Sequence, residues 1–296
     1  MILYNKDKWL DIWKLPKYEE IRNKILSSFN ELVFVEDGHK YFVGDRELEC
    51  VSNVTHIFKP HVDTNELAEA TYKRRFNDAN SKYYQMTKEQ ILAEWEKINH
   101  EACSMGTERH EFGESCFYYM TGQYDRILPA FKDRLREDGG FESKNGREDA
   151  VVKFFTDLPK CIVPILAETK VYVVEKEYAY AGTFDILFFY DAELDNKDAS
   201  KSGLFVMDYK TNKDLYKNFN NERLLKPFEG LLNMNVSLYK LQLSLYQMAL
   251  ENIGLKIVAR RLLWLKDTGK YDKINLESYT KVLREELPKH WFQLQK

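Results

Sequence analysis

Two stretches of the sequence place ionisable side chains inside runs that are otherwise apolar: GTFDILF, which carries Asp185, and FVMDYKT, which carries Asp208, Tyr209 and Lys210. Side chains two apart on a strand project to one face, so Asp208 and Lys210 stand together if this run is extended. Asp185 enters a neighbouring run, and two acids and a lysine can then converge. Burying such charges is costly unless a metal or counter-charge compensates. A carboxylate pair here therefore asks for a cation, and Mg²⁺, held by one or two carboxylates with waters and phosphate oxygens, fits the inventory. The pattern of acid, any residue, lysine is short, and it recurs at Glu142 and Lys144, Glu168 and Lys170, and Asp195 and Lys197. The first and last fall in polar loops. Glu168 and Lys170 fall on an apparent strand and compete directly, and an ordinary strand-edge ion pair of Asp208 with Lys210 is the plain alternative.

The elements that must position these groups are read from periodicity. Residues 18–29 predict a helix, and Asp37-Gly38 between alternating apolar residues predicts a hairpin. Ser52 and the Asp63-Thr64 pair read as helix caps. One helical run leads to Gly106, and a second, over 104–120, sets Gly106, His110, Glu114 and Phe117 on one face. After a Gly- and charge-rich loop and a short helix, AVVKFFTDL, come three apolar, β-branched runs: IVPILAETKVYVVE, YAGTFDILFFY and GLFVMDYKT. They predict strands. Tyr239, Leu243, Tyr246, Leu250 and Ile253 recur at helical spacing, a final strand follows in LKIVARRLLWL, and a turn at 267–269 precedes a C-terminal helix. The expected fold is α/β: a mixed central sheet flanked by helices, with a helix-and-hairpin N-terminal portion. Its strand-helix-strand piece implies a parallel pair with a right-handed crossover. The expected division is 1–100 for the N-terminal portion and 101–296 for the core.

These motifs together resemble the PD-(D/E)XK nuclease superfamily, and more closely its RecB-type branch of viral and mitochondrial genome maintenance exonucleases. The branch reads G-T-x-x-H-x-x-x-E, then G-T-x-D, then D-x-K, then Q-x-x-x-Y. Here Gly106, Thr107, His110 and Glu114 precede Gly182, Thr183 and Asp185, then Asp208, Tyr209 and Lys210, then Gln242 and Tyr246. The likeness covers about residues 105–253, with an echo in SNVTHIF at 52–58; the usual proline before the first acid is replaced by Thr183-Phe184. It implies a restriction-endonuclease-like core, with the N-terminal portion covering a DNA channel. It also implies Mg²⁺ or Mn²⁺ held by Asp185, Asp208, the backbone carbonyl of Tyr209 and His110. Glu114 and Glu168 take auxiliary places around the ion, and Lys210 acts beside the scissile phosphate. Gln242 and Tyr246 hold Lys210 or a phosphate, although Tyr246 also fits the apolar stripe of its own helix. Thr211, Asn212 and Lys213 are expected to touch the DNA backbone. The implied reaction is hydrolysis at DNA ends, on single-stranded or free-ended substrates, leaving a 5′-phosphate and a 3′-hydroxyl. Its alternatives are a structure-selective endonuclease and a DNA-binding protein without turnover. Some relatives hold an iron–sulfur cluster through C-terminal cysteines; no cysteine follows Cys161, so none is expected.

Composition narrows the rest. In 296 residues, 44 basic and 47 acidic side chains nearly balance, which excludes coating of nucleic acid through bulk charge but allows a local basic groove. With 44% hydrophobic and 14% aromatic residues the chain can bury a large core. The basic-aromatic run Tyr72, Lys73, Arg74, Arg75, Phe76 reads as a solvated helix face before a base-stacking one. Cys50, Cys103, Cys116 and Cys161 form no C-x-x-C pair and read as core thiols of a reducing compartment. No run approaches a membrane span, and the N-terminus MILYNKDKWLDIW is charged where a signal peptide is apolar. The expectation is an intracellular, soluble protein.

Overall fold

The computed structural model describes residues 7–294 except Asp138; the first six residues of the charged N-terminal stretch and Asp138 of the Gly-rich loop lie outside the described residues. The helices are α1 (Asp7–Trp13), α2 (Pro16–Ser28), α3 (Val51–His56), α4 (Thr64–Arg75), α5 (Lys88–Met120), α6 (Pro129–Lys132), α7 (Gly146–Asp157), α8 (Asn235–Asn252) and α9 (Thr280–His290). The strands are β1 (Leu32–Val35), β2 (Lys40–Val43), β3 (Arg46–Cys50), β4 (Ile162–Val174), β5 (Ala179–Tyr190), β6 (Gly203–Lys210), β7 (Ile257–Leu265) and β8 (Tyr271–Asn275).

All eight described strands join one mixed sheet in the order β1-β2-β3-β5-β6-β7-β8, with β4 along β5. β4, β5 and β6 are buried almost throughout, which is why they read as continuous apolar runs. β6 and β7 pair in parallel, with α8 between them in the chain, as the strand-helix-strand pattern implies. β5 is the hub. From Ala179 to Tyr190 it pairs with β4 at every residue but Asp185, while its other edge is divided between β3, near Tyr180 and Ala181, and β6, from Ile186 to Tyr190.

Local chemistry explains the elements. α2 begins with Pro16 at its first turn and buries Tyr18, Arg22 and Ile25, spaced four and three apart. The β1–β2 turn contains Gly38 at φ +77 and His39 at φ 51, the left-handed region that Gly adopts without strain. Asp63 caps α4 by accepting from the Asn65 and Glu66 amides. Ser52 does not cap α3: Cys50 holds that position, and its side chain caps none of the helix's amides.

Two expectations are corrected. The runs on either side of Gly106 form one helix, α5, because a helical Gly costs only about 0.5–1 kcal/mol relative to Ala and no proline interrupts the ladder. β8 was read as turn and helix; it is a short charged strand pairing antiparallel with β7, and its YDKIN carries too little apolar alternation to announce itself. The chain forms two compact units, Pro60–Arg109 and the remainder. The N-terminal hairpin belongs with the sheet because β3 pairs with β5, and α5 contributes its residues to Arg109 to the small unit and from His110 to the large one.

In the small unit Trp95 Nε1 donates to Tyr83 Oη at 2.8 Å, and Lys73 and Arg74 are exposed. None of the four cysteines is in a disulfide; Cys116 and Cys161 are buried, Cys50 is half-buried and Cys103 is exposed, so only two are core residues. No helix among the described residues is long and apolar enough to cross a membrane.

Candidate metal centre

The ladder around β5 is interrupted at one rung. Pairing with β4 runs to Ala167↔Ile186 and resumes at Thr169↔Phe184, skipping the rung where Glu168 would face Asp185. Pairing with β6 ends at Ile186↔Met207, so the next rung would set Asp185 against Asp208. Three acids from three neighbouring strands thus share the level at which the sheet opens. Glu168 departs from strand geometry with φ 43, and Asp185 replaces a ladder acceptor, its Oδ2 taking the Tyr209 N–H at 2.6 Å. Like charges directly across strands repel, so the level needs positive charge.

Two side chains supply it. His110, on the part of α5 packed against the sheet, lies with Nδ1 3.1 Å from Asp185 Oδ1. The Lys210 ammonium lies on Asp208 Oδ2, and Asp208 is only 1% exposed. Ligand atoms of His110, Glu168 and Asp185 all fall within 4.8 Å of one another, and Glu168 Oε1 is buried with no hydrogen-bond partner among the described residues. Two carboxylates and an imidazole, one carboxylate oxygen unsatisfied, form a donor set that could hold a metal ion, the oxygens suiting hard cations and the imidazole nitrogen borderline ones.

The electrostatics follow from crowding. Burial and the neighbouring Asp185 charge raise Asp208 to about 6, against the pull of Lys210. Burial and Asp185 also hold Glu168 well above the ordinary range. Asp185 goes the other way: burial opposes its charge, but His110, Lys210 and the Tyr209 amide outweigh it. Burial likewise opposes the charged form of His110, yet Asp185 lifts it to about 9. In the cation-free protein the His110 ring therefore carries a proton at neutral pH. Its stabilising effect is complete below the unfolded histidine value of about 6.5 and is lost as pH rises through about 9. Asp185→Asn removes the charge and leaves the burial, so the His110 value should fall below 6.5; an NMR titration of the ring that still centres near 9 would refute the assignment.

Close approach of the elements depends on two glycines. A Cβ at Gly113 would stand 2.7 Å from Tyr209 Cε2, and one at Gly182 would stand 2.9 Å from both Tyr246 Cε1 and Val51 Cγ2. The Tyr209 ring, fully buried, meets His110 edge to face at 5.8 Å and has no room to retreat. Gly113→Ala gains about 1 kcal/mol of helix propensity and incurs about 1–3 kcal/mol of overpacking. A net loss of up to about 2 kcal/mol is expected, seen as a lower Tm by calorimetry; a raised Tm contradicts this packing account.

The remaining expected site residues are placed as follows. Gln242 Nε2 donates to Tyr246 Oη at 3.2 Å, so these two bond to each other, and Tyr246 meets Phe184 edge to face. The aromatic partner of Lys210 is Tyr239, whose ring centroid lies 4.2 Å from the ammonium. Sequence reading left Tyr239 in the apolar stripe of α8. Glu114 Oε1 accepts from Tyr118 Oη at 2.6 Å, and Arg126 donates to that same oxygen of Tyr118 at 2.7 Å. Glu168, expected as an outer group, stands inside the ligand cluster, whereas Lys170 is exposed with its ammonium 5.3 Å from the Phe34 ring centroid. Asn212 accepts from Tyr239 Oη at 3.1 Å through its side chain and from Trp264 Nε1 at 2.7 Å through its carbonyl, which makes it a strut. Thr211 is half-buried and Lys213 exposed. On β7, Arg260 donates to Gln247 and Arg261 to Asn275. Compared with known proteins, the chain matches no protein-family model and no curated protein.

Proposed function

We propose that the protein is a divalent-cation-dependent deoxyribonuclease with a restriction-endonuclease-like core, an exonuclease hydrolysing phosphodiester bonds at DNA ends. The observation that carries this reading is the interrupted rung, where Asp185 and Asp208 meet with His110 on one acid and Lys210 on the other. His110, Glu168 and Asp185 would hold Mg²⁺ or Mn²⁺, with Asp208 and the Tyr209 carbonyl as further oxygen donors. When bound, the cation polarises the phosphate and acidifies water.

The chain's own groups do the rest. Lys210 neutralises charge growing on the phosphate oxygens and orients the attacking water. Asp208 fixes the ammonium from one side, and the Tyr239 ring supports it from another. Burial of Asp208 and Tyr209 removes competing water from the acids, which strengthens every charge interaction there. Thr211 and Lys213 follow the catalytic strand directly and are placed to meet the DNA backbone.

The test is a time course on end-labelled single- and double-stranded DNA with Mg²⁺, Mn²⁺ or chelator. Cation-dependent release of nucleotides from ends, with a covalently closed circle left intact, is the expected result. Cutting of the circle replaces the exonuclease with an endonuclease, and cleavage unaffected by chelator removes the metal centre from the mechanism.

A further inference from the structure

Resting on the nuclease reading, we propose that Tyr216 and Phe219 are a stacking platform for unpaired bases of the strand whose phosphate reaches Lys210. The irregular segment 211–234, between β6 and α8, exposes two large aromatic rings: Tyr216 is 50% and Phe219 68% exposed. Phe219 is the most exposed large apolar side chain among the described residues, and Tyr216 lies three residues before it.

Tyr216 connects to the strand that carries Lys210 through an unbroken series of contacts. Lys210 lies over Tyr239, Tyr239 and Trp264 are both bonded to Asn212, and Trp264 meets Tyr216 edge to face with centroids 6.3 Å apart. Trp264 is also the β7 residue in register with Lys210. Tyr216 forms part of the wall of an open cleft of about 410 Å³ that Lys240 also lines.

The choice of occupant comes from charge. Lys213 is exposed beside the catalytic strand, and the Lys217 ammonium sits 4.9 Å from the Phe219 ring centroid, so cation and ring are offered together. Alternation of aromatic faces with lysines matches a single strand, whose bases present π faces while its phosphates stay outward. A duplex has no free base faces to offer, and a purely apolar partner would leave the lysines unanswered.

The experiment is an anisotropy titration of a labelled oligothymidylate with the full chain, with Ca²⁺ replacing Mg²⁺ to suppress turnover. Tyr216→Ala and Phe219→Ala should each weaken Kd roughly 5- to 100-fold, the range for losing one stacked base. Tyr216→Trp, which keeps the stacking face, should restore binding, and a blunt duplex should change less than about two-fold. Both side chains are largely exposed, so an unchanged melting temperature separates lost binding from lost folding. A double variant that binds the single strand within about two-fold of wild type overturns the platform. Equal losses on strand and duplex do so as well. If wild type still cleaves DNA with Mg²⁺ in either case, the nuclease reading stands alone; if wild type neither binds nor cleaves, both fall.

Discussion

Asp185→Ala abolishes divalent-cation binding and, with it, DNA cleavage: this is the largest effect expected of any single substitution. The carboxylate is shared by the ligand cluster, by His110 and by the Tyr209 amide, so its removal uncouples all three. Loss of a supporting partner around a metal typically costs 10- to 100-fold in affinity, and loss of a central ligand should exceed that. The measurement is calorimetric titration with Mn²⁺, paired with cleavage of labelled DNA. The fold control matters because Asp185 also satisfies a buried amide, at a cost of about 1–3 kcal/mol if it is left unpaired. Asp185→Asn keeps an acceptor oxygen for that amide, so it should fold better than the alanine variant while still failing to bind the ion. Mn²⁺ affinity within about two-fold of wild type in both variants would place the metal elsewhere.

The second large effect is that of Lys210→Ala, expected to lower cleavage by roughly two to three orders of magnitude, as removal of one group serving the transition-state charge does elsewhere. Cation binding should survive, because the cluster of His110, Glu168 and Asp185 does not include the ammonium. Burial opposes the Lys210 charge, but Asp208 outweighs it and keeps the group protonated well above neutral pH. It is therefore a fixed positive charge. Lys170→Ala is the matched control. Its acid-x-lysine pattern is the same in sequence, yet its ammonium faces Phe34, so cleavage should stay near wild type. Should Lys170→Ala be the dead variant and Lys210→Ala the active one, the roles of the two lysines would have to be exchanged.

That pair also marks what can be read from the chain without coordinates. β4, β5 and β6 were legible because strands buried on both faces must be apolar, and charges inside them stand out. The β6–α8–β7 unit was legible because the period changes from two to nearly four and back. The place of Glu168 inside the cluster was not, because it depends on one φ angle and a skipped rung, neither of which alters residue type. Tyr239 was hidden for the opposite reason: it satisfies the apolar stripe of α8 whether or not a lysine lies over it. Among glycines, the pattern drew attention to Gly106, although among the described residues no atom stands within 4 Å of a Cβ there. Gly113, which makes no motif, is the position where the buried Tyr209 ring leaves no space.

The carboxylate of Asp185 is held at both oxygens before any ion arrives, one by a main-chain amide and the other by an imidazole. A side chain already immobilised has little torsional freedom left to surrender, so loading the site freezes almost nothing further at that residue. The folding of the sheet has met in advance an entropic cost that a flexible site would incur with every ion it captures.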